Sequence, residues 1–263
     1  KSALEIRKEI GDIYNMGTSM NSIATIYLNN GNKGTALEYF EMALKMLVKA
    51  GNKSSMVYTL WNIGLLYLEK DDVDTALDYY ERALAIQEEL GIKSKMLTNL
   101  MRIGDVYKRK GDYDKAIMYY LKALNIREEK NYKNNMRWTY GRLGWTSYLQ
   151  GSYDKSNEYY DKQLILAKEL KDNNNISNIF VNKGLNSFYN KDFTQALENL
   201  EISAKMQMEL DSTISLETFS YLLLSKEILG KEYNVAEIHK LIREVEEIKD
   251  YINFALFELL EDI

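Results

Sequence analysis

The chain repeats itself every forty residues, and that period constrains its fold more than any other feature. "YTLWNIGLLYLEKDDVDTALDYYERALAIQEELGIKSKM" (58–96) aligns without a gap to "TNLMRIGDVYKRKGDYDKAIMYYLKALNIREEKNYKNNM" (98–136). Gly64, Gly104, Gly144 and Gly184 recur at this spacing, with Ala24 in the preceding copy. Ala36, Ala76, Ala116, Ala196 and Ala236 do the same, Ser156 filling the missing slot. Tyr80, Tyr120 and Tyr160 follow, with Phe40 before them and Leu200 after, and Met16, Met56, Met96 and Met136 mark the boundaries. A fixed period of roughly 20–50 residues is the signature of a solenoid, in which each unit is covered by its neighbours.

Within one unit the apolar spacing is helical. Leu60, Ile63, Gly64 and Tyr67 make one stripe at i, i+3, i+4, i+7, and Ala76, Leu77, Tyr80, Ala83 and Leu84 make another. Asp74, Asp114 and Asp154 stand before the second stripe, where a side-chain oxygen is expected to cap free helix N–H groups. Gly111 and Gly151 are expected to end the first helix and permit the reversal. Each unit is therefore read as two antiparallel helices, with the small Gly and Ala side chains letting the backbones approach. The chain has no proline, where average usage of ~5% would give about thirteen, as expected of long helices joined by short turns.

The order Leu60, Ile63, Gly64, Tyr67, Ala76, Tyr80, Ala83 resembles the tetratricopeptide repeat. The first helix of that repeat carries a large apolar residue, Leu-Gly and Tyr, and its second helix Ala, an aromatic and Ala. The common repeat has 34 residues. A forty-residue version resembles the long-helix branch found in kinesin light chains and in bacterial signalling proteins. The resemblance covers essentially the whole chain and implies an all-α, right-handed superhelical solenoid of about six helix pairs. It is read as one domain over 1–263, with repeats near 17–56, 57–96, 97–136, 137–176, 177–216 and 217–256.

The copies are unequal. The unit from 137 has Ser147 for Tyr and Gln163 for Ala, the unit from 177 puts Lys183 at an apolar slot, and the last keeps little beyond Leu223 and Ala236. "ALEIRKEIG" (3–11) matches the tail of a second helix, "ALAIQEELG" (83–91), and the segment 250–263 is an apolar helix without its partner. The expectation is a piece excised from a longer protein. The end of the chain also resembles, more loosely, the region that joins such repeats to a nucleotide cyclase or kinase in bacterial proteins.

Little in the chain suggests catalysis. There is no Cys, and His239 is the single His, which leaves neither a nucleophile–base pair nor a zinc set, so no cofactor or metal is expected. "GNKSS" (51–55) and "LGKEY" (229–233) lack the upstream glycine of a phosphate loop. Glu244, Glu246 and Glu247 read as a solvated helix face. The net charge of −5 gives no general attraction to nucleic acid or anionic membrane, and no stretch approaches the ~18 apolar residues of a membrane span. A cytoplasmic location is expected.

Binding remains. The resemblance implies that first helices line a concave groove. The slot two before each repeat glycine then reads Ser22, Asn62, Arg102, Arg142 and Asn182. In long-repeat relatives asparagines at this slot hold an extended peptide backbone; here arginines occupy the two middle rungs, and arginine matches a carboxylate in bidentate fashion. Neighbouring slots hold Trp61, Leu65, Met101, Asp105, Lys108, Arg109, Trp138, Trp145, Tyr148 and Phe188. Trp138 and Trp145, seven apart with Arg142 between, share one helix face. All three tryptophans fall outside the aromatic core slot occupied by Met20, Leu60, Leu100, Tyr140 and Phe180. Two readings follow. The first is a module binding an acidic or C-terminal peptide, as scaffold or sensor within a signalling protein, with Trp and Arg as anchors. The alternative is a structural array that self-associates or holds a flanking cyclase or kinase domain, with the tryptophans packing repeat on repeat. RNA reading is disfavoured by charge and by the lack of a recurring base-reading side chain.

Overall fold

The computed structural model describes residues 10–91, 93–211 and 214–232, together with Arg7. His239, Ala236, Glu244, Glu246, Glu247 and the apolar segment 250–263 lie outside the described residues, as does most of 3–11. The described residues hold helices and no strand: α1 Ile13–Asn29, α2 Lys33–Lys49, α3 Lys53–Glu69, α4 Val73–Glu89, α5 Lys93–Arg109, α6 Tyr113–Glu129, α7 Lys133–Leu149, α8 Tyr153–Glu169, α9 Asn173–Tyr189, α10 Phe193–Asp211 and α11 Leu216–Ile228. From α1 to α10 each helix starts twenty residues after the one before. The boundary methionines sit in the first turns of α1, α3, α5 and α7, so the helical frame begins four residues ahead of the Met-marked one. The chain divides into two compact units, residues 1–130 and 131–263.

The twenty-residue beat has a local cause at each turn. Position 11 and every twentieth residue after it, as far as 191, has a left-handed backbone; Gly111 and Gly151 do so at φ +77°, and Asp71, Asn131, Lys171 and Lys191 follow despite their side chains. This is the residue just past a helix end, where positive φ lets the chain reverse and free carbonyls be satisfied. At several turns the next residue caps the following helix, as where Asp72 accepts from Thr75 N–H, Asp112 from Lys115 N–H and Asp172 from Asn175 N–H; Asn32, Tyr132 and Ser152 make no such side-chain bond. The expectation for Asp74 and Asp114 is thereby corrected. Both sit inside the first turn, where their charge complements the helix dipole but cannot act as cap. Asp154 likewise lies one turn in, behind Ser152. The helix begins a turn before its apolar stripe does, because the first turn faces solvent.

In the first unit α1 packs on α2, α3 on α4 and α5 on α6, with each second helix also covering the next first helix. A Cβ added at Gly64 would lie 2.8 Å from the Tyr80 ring, and at Gly104 2.5 Å from that of Tyr120. Both rings are fully buried, so the glycine is what allows a tyrosine to lie flat between the helices of a pair. Burial of such side chains contributes about 1.5–3 kcal/mol each for residues of leucine or phenylalanine size.

The second unit repeats this with Gly144 under Tyr160, and with Gly184 under Leu200. Its departures from pattern are compensated. Gln163, in place of Ala, occupies space vacated by Gly141 and donates to Asn175 Oδ1 at 3.1 Å. Ser156 donates to the Gly144 carbonyl at 2.8 Å and accepts from Asn186 Nδ2 at 2.9 Å.

Candidate functional site

In the first unit a pocket of ≈ 250 Å³ opens between first helices α3 and α5, with α4 at its back. That is below the roughly 300–1,000 Å³ of drug-sized ligand sites and suits one or two side chains. Ser54, Val57, Tyr58 and Trp61 line it from α3, Gln87 from α4, and Thr98 and Asn99 from α5. Asn99 is only 1% exposed, and its Nδ2 donates to Gln87 Oε1 at 2.7 Å. That bond fixes the amide's orientation and leaves Asn99 Oδ1 buried without a hydrogen-bond partner. The indole N–H of Trp61 is also buried and unpaired.

The Arg102 guanidinium lies 5.8 Å from the Trp61 ring centroid, a cation–π arrangement at the pocket's edge. Among the described residues Arg102 forms no ion pair. It lies near the buried Tyr80 hydroxyl, whose pKa burial pushes up to about 12 while the positive charge of Arg102 pulls the other way. Trp61 and Arg102 are thus brought together, with the aromatic face toward the cation.

The other expected residues of this unit have different surroundings. Asn62 is 4% exposed, and its Nδ2 donates to the Tyr58 carbonyl of its own helix at 2.8 Å. Arg109 reaches back to Asp71 at 2.6 Å and to the Leu68 carbonyl at 3.3 Å, tying one turn to another. Asp105 accepts from the buried Tyr120 hydroxyl at 2.7 Å, and Met101 is buried beneath Arg127. Leu65 and Lys108 are half-buried. Asn99, Gln87 and Thr98 were missed. The available signal was the column that reads Tyr58 then Thr98 forty residues on, a loss of bulk beside a buried amide.

In the second unit Trp138 is 55% exposed and rests on Arg137, whose guanidinium is 4.5 Å from its ring centroid. Arg137 is buried and anchored by Asp172 at 2.5 Å and Asn134 at 2.9 Å. Trp145 stacks on Tyr148 at 5.0 Å, and Tyr148 meets Tyr153 and Tyr189 at 5.9 and 5.8 Å. Tyr189 and Tyr221 share a hydrogen bond between hydroxyls at 2.7 Å. Burial raises the pKa of the Tyr148 and Tyr221 hydroxyls, and their tyrosine neighbours add to the shift. Arg142 and Asn182 are half-buried, whereas Phe188 belongs to the core with Leu197 and Leu223. Among the described residues no three His, Cys, Asp or Glu side chains gather as a metal site, and no helix is long and apolar enough to cross a membrane.

Helix pairs at a forty-residue period, with a small residue under a large buried side chain in the best-formed pairs, define a helical-repeat protein, a class whose stacked units present extended binding surfaces. Models of the tetratricopeptide repeat match residues 17–50, 55–129 and 95–169, and the chain belongs to that family. Among solved structures it is similar to a signal transduction ATPase with numerous domains from Pyrococcus horikoshii, described as having a tetratricopeptide repeat sensor. The TM-score is 0.74 at 18% identity, over 90% of this chain and 38% of that one. It is also similar to the apo form of RapI, with a TM-score of 0.71 at 14% identity, over 93% of this chain and 69% of that one. A putative kinesin light chain repeat protein from Podosopora anserina gives 0.64 at 15% identity, over 74% of this chain and 97% of that one. A comparison with curated protein sequences gives no match.

Proposed function

We propose that this chain is a peptide-binding module whose first helices receive an acidic segment of a protein partner. The observation that carries the reading is the α3/α5 pocket with Arg102 at its edge: a concave, aromatic-walled space, with a cation stacked on the wall and no carboxylate of the described chain paired to it. A ligand carboxylate at Arg102 gains a charge-assisted hydrogen bond, and an apolar neighbour gains the Trp61 and Tyr58 surfaces. Within its own unit Trp138, held rigid over Arg137, and Trp145 with Tyr148 offer further anchors of the type enriched at binding hot spots. Arg142 in the same helix supplies a second cation on the first-helix surface. The sensor repeats named in the Pyrococcus horikoshii ATPase make a role within a signalling protein a natural setting.

The test is selection of a displayed random peptide library on the purified chain. Enrichment of Asp- or Glu-containing peptides is expected. Arg102→Glu should weaken a selected peptide at least about tenfold, the weight of one charge-assisted contact, with the helical circular dichroism unchanged. Undiminished affinity in that variant, or selection that ignores acidic residues, overturns the reading.

A further inference from the structure

In the first unit the aromatic column of the first helices is Tyr27, Tyr67 and Tyr107, each ring stacked within its own helix pair. In the second unit that column holds Ser147 and Ser187, and rings stand one or two residues later, at Tyr148 and Tyr189. Each residue turns a side chain about 100° around a helix, so these rings leave the pair and meet one another instead. Tyr148 lies 5.8 Å from Tyr189, and Tyr153 bridges them at 5.9 and 6.4 Å. Trp145 extends the row at one end, 5.0 Å from Tyr148, and Tyr221 of α11 at the other, 6.1 Å from Tyr189. Trp145 is 37% exposed, and Tyr148, Tyr153 and Tyr189 are half-buried, so the row reaches solvent.

A carboxylate stands beside it. Glu217 precedes Tyr221 by one helical turn, which puts both side chains on one face of α11. Glu217 is exposed, and among the described residues it makes no ion pair or hydrogen bond. Its charge reaches the hydroxyls of Tyr148 and Tyr221. The surrounding protein raises its own pKa, and no cation of the described chain offsets that rise, as befits an acid in a concavity open to water. Aromatic faces are electrostatically negative, so a row of them beside an unpaired carboxylate favours positive charge. An anionic group would meet Glu217 as a like charge, and an aliphatic one would desolvate it without pairing it.

We propose that this aromatic and acidic face of the second unit is a docking site for a lysine or arginine side chain of a protein partner. It goes beyond the acidic-peptide reading, which rests on Arg102 in the first unit, and gives the chain a recognition surface of opposite charge.

The test titrates the isotope-labelled chain with N-acetyl-arginine amide, N-acetyl-lysine amide and the neutral isostere N-acetyl-citrulline amide, read by nuclear magnetic resonance. Both cations should shift the Trp145 indole N–H and the backbone amides of Tyr148, Tyr189 and Tyr221. Citrulline should bind at least about fivefold more weakly, having lost both the ring attraction and the ion pair. Glu217→Gln alters an exposed residue and keeps the fold; it should weaken arginine by about threefold or more. Trp145→Leu should weaken it comparably with the charge intact, and added salt should weaken the cations alone. Absent shifts, shifts that miss this face, equal binding of citrulline or undiminished arginine affinity in Glu217→Gln each overturn the site and leave the Arg102 reading untouched. A failed selection of acidic peptides overturns that reading and leaves this one standing.

Discussion

In residues 1–130 stacked tyrosines pin the helix pairs: Tyr27 on Tyr39, Tyr67 on Tyr79 and Tyr107 on Tyr119, with centroids 5.5–5.7 Å apart and rings within 11° of parallel. In residues 131–263 the matching first-helix slots hold Ser147 and Ser187, both buried, and the stacks are gone. Directional contacts replace them: Asn186 to Ser156 and Asn157, Gln163 to Asn175, and Ser177 with Ser203. At this slot the helix pairs are therefore held by ring surface in the first unit and by buried polar side chains in the second. Each unit also holds contacts of the other kind, such as Asn99 with Gln87 and Tyr148 with Tyr189. Ring stacks sit half in solvent and lose little when a neighbour shifts. A buried polar pair is less forgiving, because removing one member strands the other.

The largest effect should come from the slot the units share. Gly104→Ala drives a Cβ into the enclosed Tyr120 ring at 2.5 Å and should cost about 2–3 kcal/mol of stability in urea denaturation. Gly184→Ala meets the branched end of Leu200 at 2.7 Å, which can change rotamer, and should cost about 1 kcal/mol. Equal losses would show that ring rigidity is not what distinguishes the two. Asn186→Ala removes two donor contacts, one buried to Ser156 and one part-buried to Asn157, and should cost about 2 kcal/mol, against about 1 kcal/mol for Tyr107→Ser, which removes a half-exposed stack and an exposed hydroxyl contact to Glu81. If the tyrosine variant proved the costlier, the contrast between directional and surface packing would fail. At the small end, Lys171→Gly relieves a left-handed lysine at φ +54° and should stabilise the second unit by about 0.5–1 kcal/mol. Raised hydrogen-exchange protection around the α8–α9 turn would register it.

The repeat, the helix pairs and the small-residue columns were legible because they are matters of spacing, and spacing alone decides which residues share a helix face. Rotamers are not. Asn62 stands in the column that the resemblance assigns to peptide binding, yet its amide folds back to Tyr58, a choice no periodicity records. Asp105 read as a groove residue, but the tyrosine buried fifteen residues later claims its carboxylate. The pocket escaped notice for a related reason. It arises from a difference between two columns, Tyr58 to Thr98 and Thr59 to Asn99, and a search for what recurs passes over what changes. Arg137 was overlooked beside the conspicuous Trp138, although it is the buried member that holds the exposed one in place.

The twenty-residue beat of helix and turn carries a consequence for how such a gene can vary. Every junction from α1 to α9 has the same frame, with a left-handed residue two before the next helix, and lysines at helix starts meet glutamates thirty-six residues on, at Lys33–Glu69, Lys93–Glu129 and Lys133–Glu169. A duplication or loss of forty codons, begun anywhere in the array, therefore rejoins turn to turn and keeps the left-handed residues in frame. A copy spanning 60–99 would carry Trp61 and Asn99 together, so the array can lengthen with these residues of its α3/α5 pocket or without them.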